Sequence, residues 1–134
     1  MRVILINKED YSVFMADQDK ALIVFQDKKI RRIWFNDEWH FSVVDIIEVL
    51  TESENPQIYW RVLKKRLKDE GNETVTNCNG LKMPASDGKM RLTDVANTKD
   101  IFRLIQSIPS PKAEPFKQWL AEVGYERVQE IENP

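Results

Sequence analysis

Cysteine and histidine each occur once in this chain of 134 residues, as Cys78 and His40. A lone thiol excludes an internal disulfide, and one thiol with one imidazole excludes a structural zinc site built from Cys and His. Glycine is scarce at four residues, and none sits in a phosphate-cradling loop. No metal or cofactor site is therefore expected. Long apolar runs are also missing. The N-terminal Val3–Ile6 run is far too short for a signal-peptide core or a membrane span, so a soluble, cytoplasmic protein without a membrane partner is expected. Finally, there is no global positive field. Twenty basic residues face 22 acidic ones for a net charge of −2, so any attraction to nucleic acid must come from local segregation of charge.

What is present fits one domain. The length and a hydrophobic content of 42% suffice to bury a single core. Residues 1–20 are weakly patterned, with Val3–Ile6 a short strand and Tyr11–Ala16 a helical turn, and read as an N-terminal extension. Three β-prone runs follow: Ala21–Phe25, then Ile30–Phe35 after a polar Gln26–Lys29 turn, then Trp39–Ser42 after Asn36-Asp37-Glu38. β-Branched and aromatic runs around an Asn-Asp break are a hairpin signal. Ser42 reads as the N-cap of a mostly buried helix through Leu50, with Asp45 as the capping-box acid. Asn55 and Pro56 read as the cap and first turn of the next helix.

That helix, Gln57 to about Asp69, is amphipathic. Tyr59, Val62, Leu63 and Leu67 form the expected core-facing stripe. Arg61, Lys65 and Lys68 line another face with Lys64 beside them, and five basic residues against Asp69 alone give residues 58–69 a charge of +4. Gly71 marks its end. Short strands are expected at Thr74–Asn79, Leu81–Met83 and Lys89–Leu92, forming a hairpin turned at Ser86-Asp87-Gly88-Lys89. Thr93 is expected to cap a helix containing Val95 and Ala96, broken near Asn97-Thr98 and resumed through Ile101–Ile108 until Pro109-Ser110-Pro111. A last helix is expected over Lys112–Ala121, interrupted at Gly124 and followed by a helical piece at Tyr125–Ile131. The fold class is α+β, with small antiparallel strands or hairpins packed with four to five helices.

No reactive constellation emerges, so no catalytic residue is assigned and the protein is not expected to be an enzyme. His40 between Trp39 and Phe41 reads as a packed core residue. Ser42 shares its face, without an oxyanion hole or a third partner. Asp45 and Asp94 read as helix-opening acids, and Cys78 as a reduced thiol near a strand. The one binding motif is the basic helix face, which Arg31, Arg32, Lys82, Lys89 and Arg91 on the hairpins can extend. A helix beside a hairpin is similar in layout to winged helix-turn-helix readers of DNA. The same residues also suit a solvated helix face, and both readings stay open here. Near the C-terminus Glu114, Glu122, Glu126, Glu130 and Glu132 outnumber Lys112, Lys117 and Arg127, a stretch that would repel phosphate.

From Phe25 to Trp119 the chain resembles the BRO-N domain of phage and large-DNA-virus antirepressor-like proteins. The resemblance rests on the Ile30–Phe35 strand, on Glu38-Trp39-His40-Phe41-Ser42-Val43-Val44-Asp45-Ile46, and on Asn55-Pro56 before the basic helix. Most specific is the Pro-x-Ala-x-x-Phe-Lys-x-Trp run at Pro111, Ala113, Phe116, Lys117 and Trp119. Where the family commonly has Pro-Trp-Phe, this chain has Trp39-His40-Phe41, and Thr51-Glu52 replaces a Gly-Tyr after the first helix. Both departures concern packing and loop shape. The resemblance implies an extension at 1–20, a BRO-N-like domain at 21–123, and a tail or linker at 124–134. It implies a prophage-type regulator of transcription with a DNA-binding module, and the pattern of basic residues nominates Arg31, Arg32, Arg61, Lys64, Lys65, Lys68, Lys89 and Arg91 for the contact with double-stranded DNA. A repressor protein or a second copy of the chain (a homodimer) is the alternative partner.

Overall fold

A computed structural model describes residues 22–132. The expected strand at Val3–Ile6 and turn at Tyr11–Ala16 lie outside them, as do the side chains of the Glu-rich stretch at 126–132. Five strands form one antiparallel sheet: β1 (Leu22–Phe25), β2 (Lys28–Phe35), β3 (Glu38–Ser42), β4 (Asn79–Pro84) and β5 (Met90–Asn97), in spatial order β1-β2-β3-β5-β4. Four helices accompany them: α1 (Val43–Thr51), α2 (Pro56–Asp69), α3 (Thr98–Ile105) and α4 (Ala113–Glu132), with a 3-10 turn at Glu73–Asn77. The α+β class follows directly.

The first three strands form where the β-prone runs are. Both of their turns hold two residues at positive φ, Gln26-Asp27 and Asn36-Asp37, the type I′ geometry whose twist matches the flanking strands. Asn and Asp tolerate that conformation, which explains the second turn better than the first. Ser42 caps α1 as expected, its hydroxyl accepting from Asp45 N at 3.4 Å. After α1, Glu52 adopts φ +57 as the left-handed C-cap. Its carboxylate is held by Lys112 Nζ at 2.9 Å.

The core gathers Ile30, Phe41, Ile47, Ile101, Ile105, Phe116 and Leu120, all essentially sealed from water. The most specific sequence run is part of it. Phe116 and Trp119 of α4 meet Phe25 of β1 with ring centroids 5.1 and 5.2 Å away, and Ser110 Oγ donates to the Leu50 carbonyl at 2.6 Å. That run therefore fastens α4 to β1, and Ser110 just before it ties the chain to the end of α1.

Three expectations of secondary structure fail. Residues 73–77 form a 3-10 turn instead of a strand, because Asn72 caps Thr74 N and Thr74 and Val75 turn into the core. Val95 and Ala96 extend β5 instead of starting a helix. They pair with Ser42 and Phe41 and are fully buried, and the helix begins only at Thr98, with Asn97 accepting from Asp100 N. Gly124 does not interrupt α4, which runs continuously from Ala113 to Glu132.

Arg31 joins distant parts of this fold. Its Nε and Nη2 each reach an Asp45 carboxylate oxygen at 2.8 Å, and its backbone N–H donates to the same group at 2.9 Å. Nη2 also donates to Ser42 Oγ at 3.2 Å, and Nη1 to the Pro84 carbonyl at 2.8 Å. The hydrogen bond to Asp45 raises the Arg31 pKa further, against the opposing effect of burial. Asp45 thus serves Arg31 and does not close a capping box. Both side chains of the pair are largely buried, so Arg31→Ala should cost about 2–3 kcal/mol in urea unfolding. Asp45→Ala on top of it should add much less than it costs alone, because the uncompensated carboxylate is then gone.

Candidate nucleic-acid interface

Helix α2 is set by strong local signals at both ends. Asn55 Oδ1 accepts from Ile58 N, Pro56 occupies the first turn, and Gly71 at φ +76 ends the helix. There Gly71 N bonds to Lys68 O and Asn72 N to Leu67 O, the paired closure of a Schellman motif. Trp60, Leu63 and Leu67 are buried, with Tyr59 packed beside them, while Val62 is 64% exposed. The expected apolar stripe is therefore rotated: Trp60 replaces Val62. The indole is affordable inside because its Nε1–H donates to Asp94 at 2.8 Å.

Asp94 also accepts from Lys64 Nζ at 2.9 Å, so one carboxylate of β5 fixes both the rotation of α2 and its position against the hairpin. Burial alone would push the Asp94 carboxyl up; the hydrogen bonds from Lys64 and Trp60, with the Lys64 charge, outweigh it and hold the group below its ordinary value. Asp94 is consequently a strand residue that orients the helix, not a helix-opening acid.

The rest of the basic set sorts by what it touches. Arg61, Lys65 and Lys68 lie exposed on the outer side of α2. Among the described residues the side chains of Arg61 and Lys68 have no hydrogen-bond or ion-pair partner, whereas Lys65 pairs with Asp69 at 3.1 Å in an exposed i,i+4 contact of little energetic weight. Arg66 reaches Glu70 at 4.0 Å and the Ser107 carbonyl at 3.4 Å. Lys89 is exposed at the hairpin turn, and Arg91 is tied to Asp87. Arg31 and Arg32 do not join this set. Arg31 is the internal link described above, and Arg32 is buried with its guanidinium 3.9 Å from the Trp39 ring centre.

Register places the hairpin faces. Gly80 opposes Asp94 and Lys82 opposes Leu92, so Lys82, Leu92 and Asp94 share the face turned to α2, while Arg91, opposite Met83, lies on the other. Lys82 is thus nearer the α2 basic face than Arg91 is. The residues that sequence reasoning missed are Leu92, 72% exposed, and Met90, 58% exposed, on that same face. The alternation of Met90 and Leu92 with Arg91 and Thr93 is the sequence signal for this face, and it breaks at Asp94-Val95.

The groups with reactive potential are occupied. Ser42 is fully buried and accepts from Arg31, and His40 is buried with Nδ1 3.2 Å from the Glu38 carbonyl and its ring edge-on to Phe35. His40 borders an open polar depression of about 410 Å³ with Glu38, Asn97 and Asp100, on the sheet face opposite Asp94. Burial, with the charges of Asp94 and Asp100, pushes the Cys78 thiol up to about 12 and leaves it unreactive. Among the described residues no three His, Cys, Asp or Glu side chains gather as a metal site requires, and no helix is long and apolar enough to cross a membrane.

The Asp94 link carries a pH signature. A carboxyl held below its ordinary value of 3.8 contributes stability that is fully present above that value and lost as pH falls through the lower, folded one. Asp94→Asn should therefore lower stability at neutral pH and flatten its decline below pH of about 4, measured by urea unfolding across pH 2–7.

The chain was compared with known proteins. A family model described as the N-terminal domain of the BRO family matches residues 29–127, which takes in β2 through most of α4. No curated protein and no solved structure matches. With the match spanning most of the chain and including the sheet, α2 and the hairpin, the protein belongs to the BRO family through its N-terminal domain.

Proposed function

We propose that this chain is a non-enzymatic DNA-binding domain of a phage or prophage antirepressor-like regulator, and that α2 with the β4–β5 hairpin is its duplex-contacting surface. The observation that carries the reading is the outer face of α2: Arg61, Lys65 and Lys68 are exposed at successive turns, and Arg61 and Lys68 are committed to nothing else among the described residues. An α-helix fits the major groove, where Arg and Lys reach phosphates and guanine edges. Lys82 and Lys89 on the hairpin add charge beside the helix. Because the whole chain carries −2, this attraction is local and acts only where the face meets the backbone. Family membership supports the reading, and shared fold alone does not decide the ligand.

The exposed pair Ile58 and Val62, one turn apart on α2, favours a second reading, a module that binds a repressor protein or itself. Titration of a labelled duplex separates the two, since phosphate attraction is nearly independent of sequence at low salt. The parent chain should bind. Arg61→Ala/Lys68→Ala should unfold at an unchanged urea midpoint, bind on the order of tenfold more weakly, and flatten the slope of log K against log salt by about two. Absence of binding by the parent chain at low salt, or an unaltered slope in the variant, would count against the DNA reading.

A further inference from the structure

The face of the hairpin turned to α2 ends in two large apolar side chains, Leu92 and Met90, that nothing in the fold covers. Exposed apolar residues scattered singly need no explanation, but these are adjacent on one strand face and sit among cations. Lys82 is the cross-strand partner of Leu92, and Lys89 precedes Met90 in the turn. Among the described residues neither lysine's ammonium group has a hydrogen-bond or ion-pair partner. The carboxylates nearby are already engaged: Asp94 by Trp60 and Lys64, Asp87 by Arg91. An apolar pair flanked by unpaired ammonium groups suits a polyanion with an apolar interior.

The hairpin is also held rigidly enough to insert. Arg31 Nη1 grips the Pro84 carbonyl, Met83 is buried on the reverse face, and Asp94 fastens the inner end to α2. From Asp94 to Met90 the strand rises roughly 13 Å. That is comparable with the half-turn of about 17 Å separating a major groove from the next minor groove.

We propose, on the basis of the DNA-binding reading above, that the outer end of the β4–β5 hairpin is a minor-groove wedge. Leu92 and Met90 enter between base steps and Lys82 and Lys89 hold the flanking phosphates while α2 occupies the neighbouring major groove. Apolar wedges of this kind partly unstack a step and bend the duplex, most easily at pyrimidine–purine steps.

The test uses the full 134-residue chain and a duplex of about three helical turns with a central TA step. The duplex carries a fluorescent donor and acceptor at its ends and 2-aminopurine at the step. Binding by the parent chain should raise both energy transfer and 2-aminopurine emission. Met90→Ser/Leu92→Ser changes only exposed side chains and should keep the urea midpoint. It should bind about tenfold more weakly with an unchanged salt slope and abolish both fluorescence changes. Lys82→Ala/Lys89→Ala should do the reverse, flattening the slope while the bend persists. A serine variant that binds and bends like the parent, or a parent that binds without bending or unstacking, overturns the wedge and leaves DNA binding standing. A parent that does not bind at low salt overturns both.

Discussion

The bidentate contact between Arg31 and Asp45 is the constraint on which the arrangement of this domain rests. A guanidinium and a carboxylate taken largely out of water are costly unless nearly every donor and acceptor is used, and here they are: Asp45 takes three hydrogen bonds from Arg31, which gives its others to Ser42 and Pro84. The contact fixes where α1 leaves the sheet and how the outer end of β4 lies against β2. A second carboxylate, Asp94, performs the parallel task for α2 by accepting from Trp60 and Lys64. The relation of basic helix to hairpin is thus set by two partly buried acids, each held by more than one donor.

This explains how a chain of net negative charge can present a basic face. Cations at positions 31, 32 and 64 lie inward or are neutralised by partners, and those on the outer side of α2 stay solvated. The acids that match them are either partly buried, as Asp45 and Asp94 are, or placed elsewhere, as Glu114 on α4 is, paired with Lys117. The basic face thus comes from the cluster of cations along residues 58–69, while partly buried ion pairs take Arg31 and Lys64 out of it.

Much of the fold was legible because its signals are local. Asn36-Asp37 announced a turn, Ser42 and Asn55 announced caps, and Gly71 a helix end, each by hydrogen bonding within a few residues. What could not be read depended on partners far along the chain. Val95 and Ala96 are a short apolar run with no period, and only pairing with Ser42 and Phe41 makes them strand. The rotation of α2 was decided by Asp94, 34 residues beyond the indole it receives. Arg31 and Arg32 read as available charge in the sequence, whereas in the fold Asp45 and Trp39 hold them. In the candidate site, the charged helix was visible and the apolar hairpin face was not, because its register follows from a strand that the sequence disguised.

The bond from Arg31 to Pro84 spans 53 residues, and this has a bearing on how the molecule is assembled. During synthesis β2, β3 and α1 emerge together, so Arg31 can meet Ser42 and Asp45 almost at once. The Pro84 carbonyl that takes the remaining donor arrives only after α2 and the 3-10 turn have been made. That corner of the guanidinium therefore gains its partner only once the last strands are in place.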